Sequence, residues 1–189
     1  MKSREEDADG PYVWTASGIK FRFLAPTVEM VSLKDITHHL SHIPRFTGVS
    51  SYSVLSHSLN VYRIVADQTR ELGVRLQALL HDAAEYIVND LAGPIKHTPQ
   101  LQGYVDIEKG IKKVIFEKYK VPEEEYRTVK DADQLLVHWE AFQLYRNRPP
   151  WVEYRKVDQV IKILDVVPLL ATDPASERQK FLDIMLETM

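Results

Sequence analysis

Between Val129 and Leu144 the apolar residues Val129, Ala132, Leu136, Val137, Ala141 and Leu144 recur at helical spacing, and a carboxylate, Asp133, falls in the middle of their stripe. An ionised carboxylate among apolar side chains is expensive to bury unless something pairs with it. Any fold that packs this helix must therefore bring Asp133 a cation or a set of donors. His57, on one helical face with Val54, Val61 and Ile64, makes the same demand, as does the adjacent His81-Asp82 pair inside an apolar run. Glu85 follows Asp82 by three positions and His81 by four, so on a helix all of these project from one face.

The rest of the chain reads as helical after a short β segment. From Tyr12 to Phe23, aromatic and β-branched residues alternate around Ser17-Gly18, predicting a hairpin. Ser32, with Asp35 three residues on, caps a helix carrying Leu33, Ile36 and Leu40, which Pro44 ends. A second helix is predicted from Ser51 to Leu72, apolar on more than one side, with Gly73 as its stop, and a third from Val74 to Val88. Asn89, Gly93, Pro94 and Pro99 mark a loop. Further helices are predicted around Ile107 to Ile115, from Glu123 to Asn147, from Val157 to Leu170, where Pro168 threatens a break, and from Pro174 to Leu186 with Asp173 as cap. The expected architecture is all-α, a helical bundle with a short N-terminal hairpin. Residues 1–10 read as a flexible tail and 11–189 as one domain.

Composition narrows the chemistry. With no Cys among 189 residues, a thiolate nucleophile, thiolate zinc sites and a disulfide framework are excluded. The balance of 24 Lys and Arg against 27 Asp and Glu supplies no field drawing the chain to a nucleic-acid polymer or an anionic membrane. The charged start MKSREEDADG lacks the apolar region of a secretory signal, and a cytoplasmic protein is expected. Strong metal ligands are then limited to His and carboxylates. His57, His81, Asp82 and Asp133, on three helices, satisfy one another by holding one divalent cation, with positions left open for water or a phosphate oxygen. Glu85 then stands beside the metal-bound water. Taken singly, each has a plainer reading as a hydrogen-bonded core residue; taken together they point to a hydrolytic site. Of the other histidines, His138 is predicted on the surface and His39 in packing, while His38, His42 and His97 are unassigned. Asp131 is expected at the surface, and Glu140, also on the inward stripe, is left outside the site as a supporting bond or salt bridge.

The stretches HHLSHIPRFTG, SYSVLSHS, LLHDAAEYIVNDLAGPIK and VKDADQLLVHWEA together resemble the HD-domain phosphohydrolase superfamily, in its pattern H…HD…D. They are most similar to the branch of bacterial 5′-deoxynucleotidases and phage dATP triphosphohydrolases. The resemblance implies His57, His81, Asp82 and Asp133 as metal ligands and Glu85 and Asp90 as catalytic carboxylates. It further implies that Arg45 and Lys96 bind phosphate and that Phe46, where relatives often carry Trp, and Pro94 help form the nucleoside pocket. Arg45 suits that role as a planar fork of donors and Lys96 as a point charge.

The implied activity is hydrolysis of a deoxynucleotide at the bond between the 5′ oxygen and the α phosphorus. The favoured substrate is dATP, cleaved to deoxyadenosine and triphosphate, which would deplete dATP in a phage whose DNA carries 2-aminoadenine. A 5′-deoxynucleotidase acting on monophosphates is the alternative within this class, a guanosine-tetraphosphate hydrolase a more distant one, and a non-catalytic nucleotide sensor the alternative outside it. One divalent transition metal per site is expected, with cobalt, manganese or zinc as candidates, and a further divalent ion on the triphosphate. A homo-oligomer is expected by analogy, with no nucleic-acid polymer or membrane as partner. A triphosphate needs cationic reach beyond Arg45 and Lys96, for which Lys20, Arg22 and Lys34 are the available candidates.

Overall fold

The structure, a computed structural model, describes residues 10–164 and 173–188. The N-terminal tail, and the predicted helical continuation through Pro168 to Leu170, lie outside the described residues apart from Gly10. The hairpin forms as expected from β1 (Val13–Trp14) and β2 (Lys20–Phe21), paired antiparallel with Val13 opposite Phe21. Gly18 supplies the positive φ of 84° that its turn requires. The body is helical: α1 (Leu33–Leu40), α2 (Val54–Gln68), α3 (Leu72–Leu80), α4 (Glu85–Val88), α5 (Gly93–Lys96), α6 (Gln102–Tyr119), α7 (Arg127–Leu144), α8 (Tyr154–Leu164) and α9 (Pro174–Thr188).

Local chemistry sets several of these boundaries. Ser32 Oγ accepts from the Asp35 amide at 3.3 Å, and Ser53 Oγ accepts from the Ser56 amide at 3.0 Å, so each caps its helix. The first cap also anchors the hairpin, because the buried Asp35 carboxylate receives Thr15 Oγ1–H at 2.8 Å, Ser17 N–H at 2.8 Å and Ser17 Oγ–H at 2.5 Å.

Several boundaries differ from the predicted ones: α2 begins at Val54 rather than Ser51, and α7 spans Arg127–Leu144 rather than Glu123 to Asn147. α2 ends at Gln68 rather than Leu72, where Thr69 turns extended, and Gly73 is not a stop but part of the first turn of α3. The predicted helix from Val74 to Val88 is two helices: between them the amides of Ala83, Glu85 and Tyr86 bond to carbonyls three residues back. This tighter winding falls on the His81-Asp82 pair itself. The predicted 89–99 loop contains the single turn of α5, where Pro94 sits in the first turn and needs no amide partner.

α2 is buried on two sides. Val54, Leu55 and Leu59 join a core with Phe21, Ile36, Leu79, Leu80, Ile111, Ile115 and Phe181, whereas Val61, Ile64 and Val65 join a second core with Val129, Leu136, Trp139 and Val160. His57 lies between these two sets on α2, and α3 likewise contributes to both cores before ending at His81. The site is built on this seam. His138, predicted on the surface, is instead largely covered and ties α7 to the start of α8: its Nδ1 accepts from the Glu153 amide at 3.1 Å.

Candidate metal centre and active site

The fully buried His57 ring donates from Nδ1 to Glu140 Oε1 at 2.7 Å, and His81 donates from Nδ1 to the Ala78 carbonyl at 2.8 Å. Each bond engages Nδ1 and so orients the ring with Nε2 towards the other ring, where a bound metal would take the place of a proton. The two Nε2 atoms stand 3.2 Å apart. Asp82 Oδ2 lies 3.1 Å from His81 Nε2 and 3.6 Å from His57 Nε2, and Asp133 Oδ1 lies 3.1 Å from His57 Nε2. Ligand atoms of His57, His81 and Asp82 all fall within 4.8 Å of one another, a grouping that could hold a metal ion; Asp133 meets it through His57.

Electrostatics fit a cation here. Two imidazole lone pairs facing each other at this distance repel unless a proton or a metal lies between them. Burial and the Arg45 guanidinium oppose a charged His57 ring, yet Glu140 and Asp133 outweigh them and hold its proton up to about pH 10. Burial would raise Asp82, but His81, His57 and Arg45 draw it well below the usual carboxylate range; Asp133 is lowered, against burial, chiefly by His57. Glu140, 0% exposed, is likewise kept ionised by Arg45, His57 and the Tyr52 hydroxyl. With neutral rings, three carboxylates against Arg45 leave a net double negative charge, the complement of a divalent cation.

The remaining expected residues surround this centre. Glu85 is 4% exposed, its Oε2 has no hydrogen-bond partner among the described residues, and burial, reinforced by Asp82 and Asp90, pushes its carboxyl well above the usual range. An unpartnered buried carboxylate oxygen suits a bound water. Asp90 is raised by burial and by Asp82, while Arg45, His57 and Lys96 act the other way, which places it in the same electrostatic neighbourhood. Arg45 reaches both the support and the centre, with Nε 3.2 Å from Glu140 Oε2 and Nη1 3.5 Å from Asp82 Oδ2. Lys96 is held by Glu108 on α6 at 2.6 Å. Phe46 is half-buried, stacks edge-on to Tyr145 with centroids 5.7 Å apart and sits 5.6 Å from the Arg45 guanidinium. Pro94 is exposed at the start of α5.

The backbone is unusual at two places flanking the centre. Phe46 and Thr47 have φ of 53° and 54° immediately after Arg45. Asn89, next to Asp90, has φ 65° and ψ 165°, a region that side chains other than glycine rarely enter. Tyr104 of α6 donates to the Asn89 carbonyl at 2.7 Å and braces that turn.

Four contributors lie outside the expected set. Glu140 is the orienting partner of His57, and its signal was available: it follows Asp133 by seven positions, two turns along one face. Tyr52, which hydrogen-bonds Glu140, and Tyr104 and Glu108, which come from α6, have no local signature, because only the packing of distant helices brings them in.

Residues 54–167 match the HD domain family. The chain belongs to the HD-domain family. Its His81-Asp82 pair thus stands in the setting of a metal-dependent phosphohydrolase. This HD-domain protein is similar to an uncharacterized protein of Rhodobacter capsulatus, 33% identical over 138 residues that cover 68% of this chain and 70% of the relative. It is also similar to the uncharacterized protein YfdR of Escherichia coli, 32% identical over 135 residues, 70% of this chain and 72% of the relative. Among the described residues, no helix is long and apolar enough to cross a membrane.

Proposed function

We propose that this HD-domain protein is a metal-dependent deoxynucleotide phosphohydrolase that breaks the bond between the 5′ oxygen and the α phosphorus, with dATP as its first candidate substrate. The observation that carries the reading is Glu85, a buried carboxyl with one unpartnered oxygen, set one turn from a converging His57, His81 and Asp82. A structural metal site has no use for such a group, and neither has a sensor that only binds.

His57, His81, Asp82 and Asp133 would hold the ion. A divalent metal bound there supplies Lewis-acid polarisation of a phosphoryl oxygen and a lowered pKa for bound water. Glu85, whose burial raises its affinity for a proton, takes one from the attacking water as the oxygen bonds to phosphorus. The bond to the 5′ oxygen breaks with its electron pair on the nucleoside, and Asp90, also raised by burial, is placed to return a proton to it. Arg45, anchored at Nε by Glu140, and Lys96 meet the charge that develops on the phosphoryl oxygens. Phe46 offers a ring face for the nucleoside.

A second reading, a monophosphate substrate, has a separate observation in its support. Arg45 and Lys96 already carry carboxylate partners, Glu140 and Glu108, which leaves little uncommitted positive charge beside the centre for a triphosphate. Product analysis with dATP, dAMP and the other deoxynucleotides, on protein loaded with cobalt or manganese, tests the proposal. Deoxyadenosine plus triphosphate from dATP is expected, and nucleoside plus orthophosphate from monophosphates would make the enzyme a 5′-deoxynucleotidase. Nucleotide binding with no nucleoside released from any substrate would overturn it in favour of a sensor.

A further inference from the structure

A cavity of about 300 Å³ opens between α3, α6 and the loop leading into α7, lined by Gln77, His81, Lys109, Lys112, Lys113 and Phe116. His81, whose Nε2 faces His57 and Asp82, is one of these lining residues. The cavity and the candidate metal centre therefore share His81.

Its charge is lopsided. Two glutamates also line it, but Glu123 pairs with Lys113 at 3.6 Å and Glu125 with Lys130 at 3.9 Å. Lys109 and Lys112 have no carboxylate partner among the described residues, and Lys112 Nζ stands 5.4 Å from the centre of the Phe116 ring. The far wall is held in place by Gln77, whose amide donates to the carbonyls of Pro122 at 3.1 Å and Glu124 at 2.7 Å and accepts from the Tyr126 amide at 2.7 Å. The loop that closes the cavity is thus fixed by a buried side chain one turn before His81. α6 meanwhile spans both regions: Tyr104 and Glu108 reach Asn89 and Lys96, while Lys109, the next residue, and Lys112, about one turn further on, line the cavity. The candidates available from sequence lie elsewhere: Lys34 lines a different cavity beside Asp35 and Arg178, and Lys20 covers the Tyr12 ring.

We propose that the Lys109–Lys112 cavity is the subsite for the distal phosphates of a polyphosphate substrate, receiving the chain beyond the phosphorus under attack. The proposal rests on the phosphohydrolase reading above and selects, within it, a triphosphate over a monophosphate. It supplies the uncommitted cations that Arg45 and Lys96 do not.

The test compares inorganic tripolyphosphate with orthophosphate by calorimetric titration of the metal-loaded protein, in excess magnesium so that the polyphosphate does not extract the bound ion. The paired variant Lys109→Gln/Lys112→Gln and the exposed control Lys162→Gln, on α8 away from the cavity, are titrated alongside. Tripolyphosphate is expected to bind the native protein at least about tenfold more tightly than orthophosphate, a margin the paired variant loses and the control keeps. In turnover, the paired variant is expected to raise KM for a triphosphate by about tenfold and leave KM for a monophosphate unchanged. Equal binding of the two anions, or a margin that survives in the paired variant, overturns the subsite. A protein that releases no nucleoside yet shows the lysine-dependent margin keeps the subsite and loses the hydrolase reading; one that hydrolyses monophosphates without the margin does the reverse.

Discussion

Replacing Glu140 by Gln keeps the shape of the side chain and removes its charge from a position that is 0% exposed. Two consequences can be separated. First, His57 loses the carboxylate that accepts its Nδ1 proton at 2.7 Å and aims its Nε2 at the centre. Loss of such a partner weakens metal binding by about 10–100-fold, which is about 1.4–2.7 kcal/mol. Second, Arg45 keeps only the longer contact to Asp82 at 3.5 Å in place of the pair with Glu140 at 3.2 Å. Breaking a buried pair costs about 3–5 kcal/mol, and the surviving Asp82 contact puts this case near the lower end. For a chain of this length that lowers the melting temperature by about 6–12 °C. Thermal melts of the metal-free protein read the second effect, and competition with a chromophoric chelator reads the first. Removing both partners, in Arg45→Met/Glu140→Gln, is expected to restore most of the melting temperature and none of the metal affinity. A Glu140→Gln protein that melts within about 2 °C of the native one and binds metal within about threefold would refute the role assigned to this carboxylate.

Glu85→Gln is expected to retain metal while lowering kcat by about 10²–10⁴-fold, as measured by nucleoside release; a matching loss of metal would make Glu85 a ligand instead. Asp35 has its folded-state pKa lowered, because the donors from Ser17 and Thr15 outweigh burial. Its contribution to stability is present above the unfolded value of about 3.9 and disappears as the pH falls through the lower folded value. Urea midpoints of Asp35→Asn should accordingly lie below the native ones near neutral pH and converge with them as the pH falls below the lowered folded value, and a constant gap would contradict this assignment. Tyr104→Phe removes the donor that holds the Asn89 carbonyl at 2.7 Å. The expected result is a fall in kcat with KM little changed and a metal affinity equal to the native one, since the turn it braces carries Asp90 and none of the proposed ligands.

What was legible in the sequence followed from local physics. The cap at Ser32, the Gly18 turn and the two-sided burial of α2 express side-chain chemistry within a few residues, whereas the cap that starts α2 is Ser53 and not the predicted Ser51. His57, His81 and Asp82 could be grouped because polar groups on apolar helix faces need partners, and the packing brings them together. The break between α3 and α4 was not legible, because Val74 to Val88 has unbroken helical periodicity and no Pro or Gly; the tighter turn at residues 81–84 belongs to the tertiary arrangement around the centre. Gly73 misled for the opposite reason. A residue that commonly ends helices sits here inside one, against the Pro122 ring at 3.5 Å, the distance an added Cβ would meet. The tether of Lys96 to Glu108 was equally out of reach, since it joins α5 to α6 by a long side chain with no periodic signature.

The proposed function requires His57, His81, Asp82 and Asp133 to hold one metal ion between them. Titration of the metal-free protein with cobalt(II), followed by its visible absorption, tests this most directly. One ion per chain is expected, with the signal lost in His57→Gln and His81→Gln and retained in Glu85→Gln. Absence of stoichiometric binding, or a cobalt spectrum indifferent to both histidines, would contradict the account.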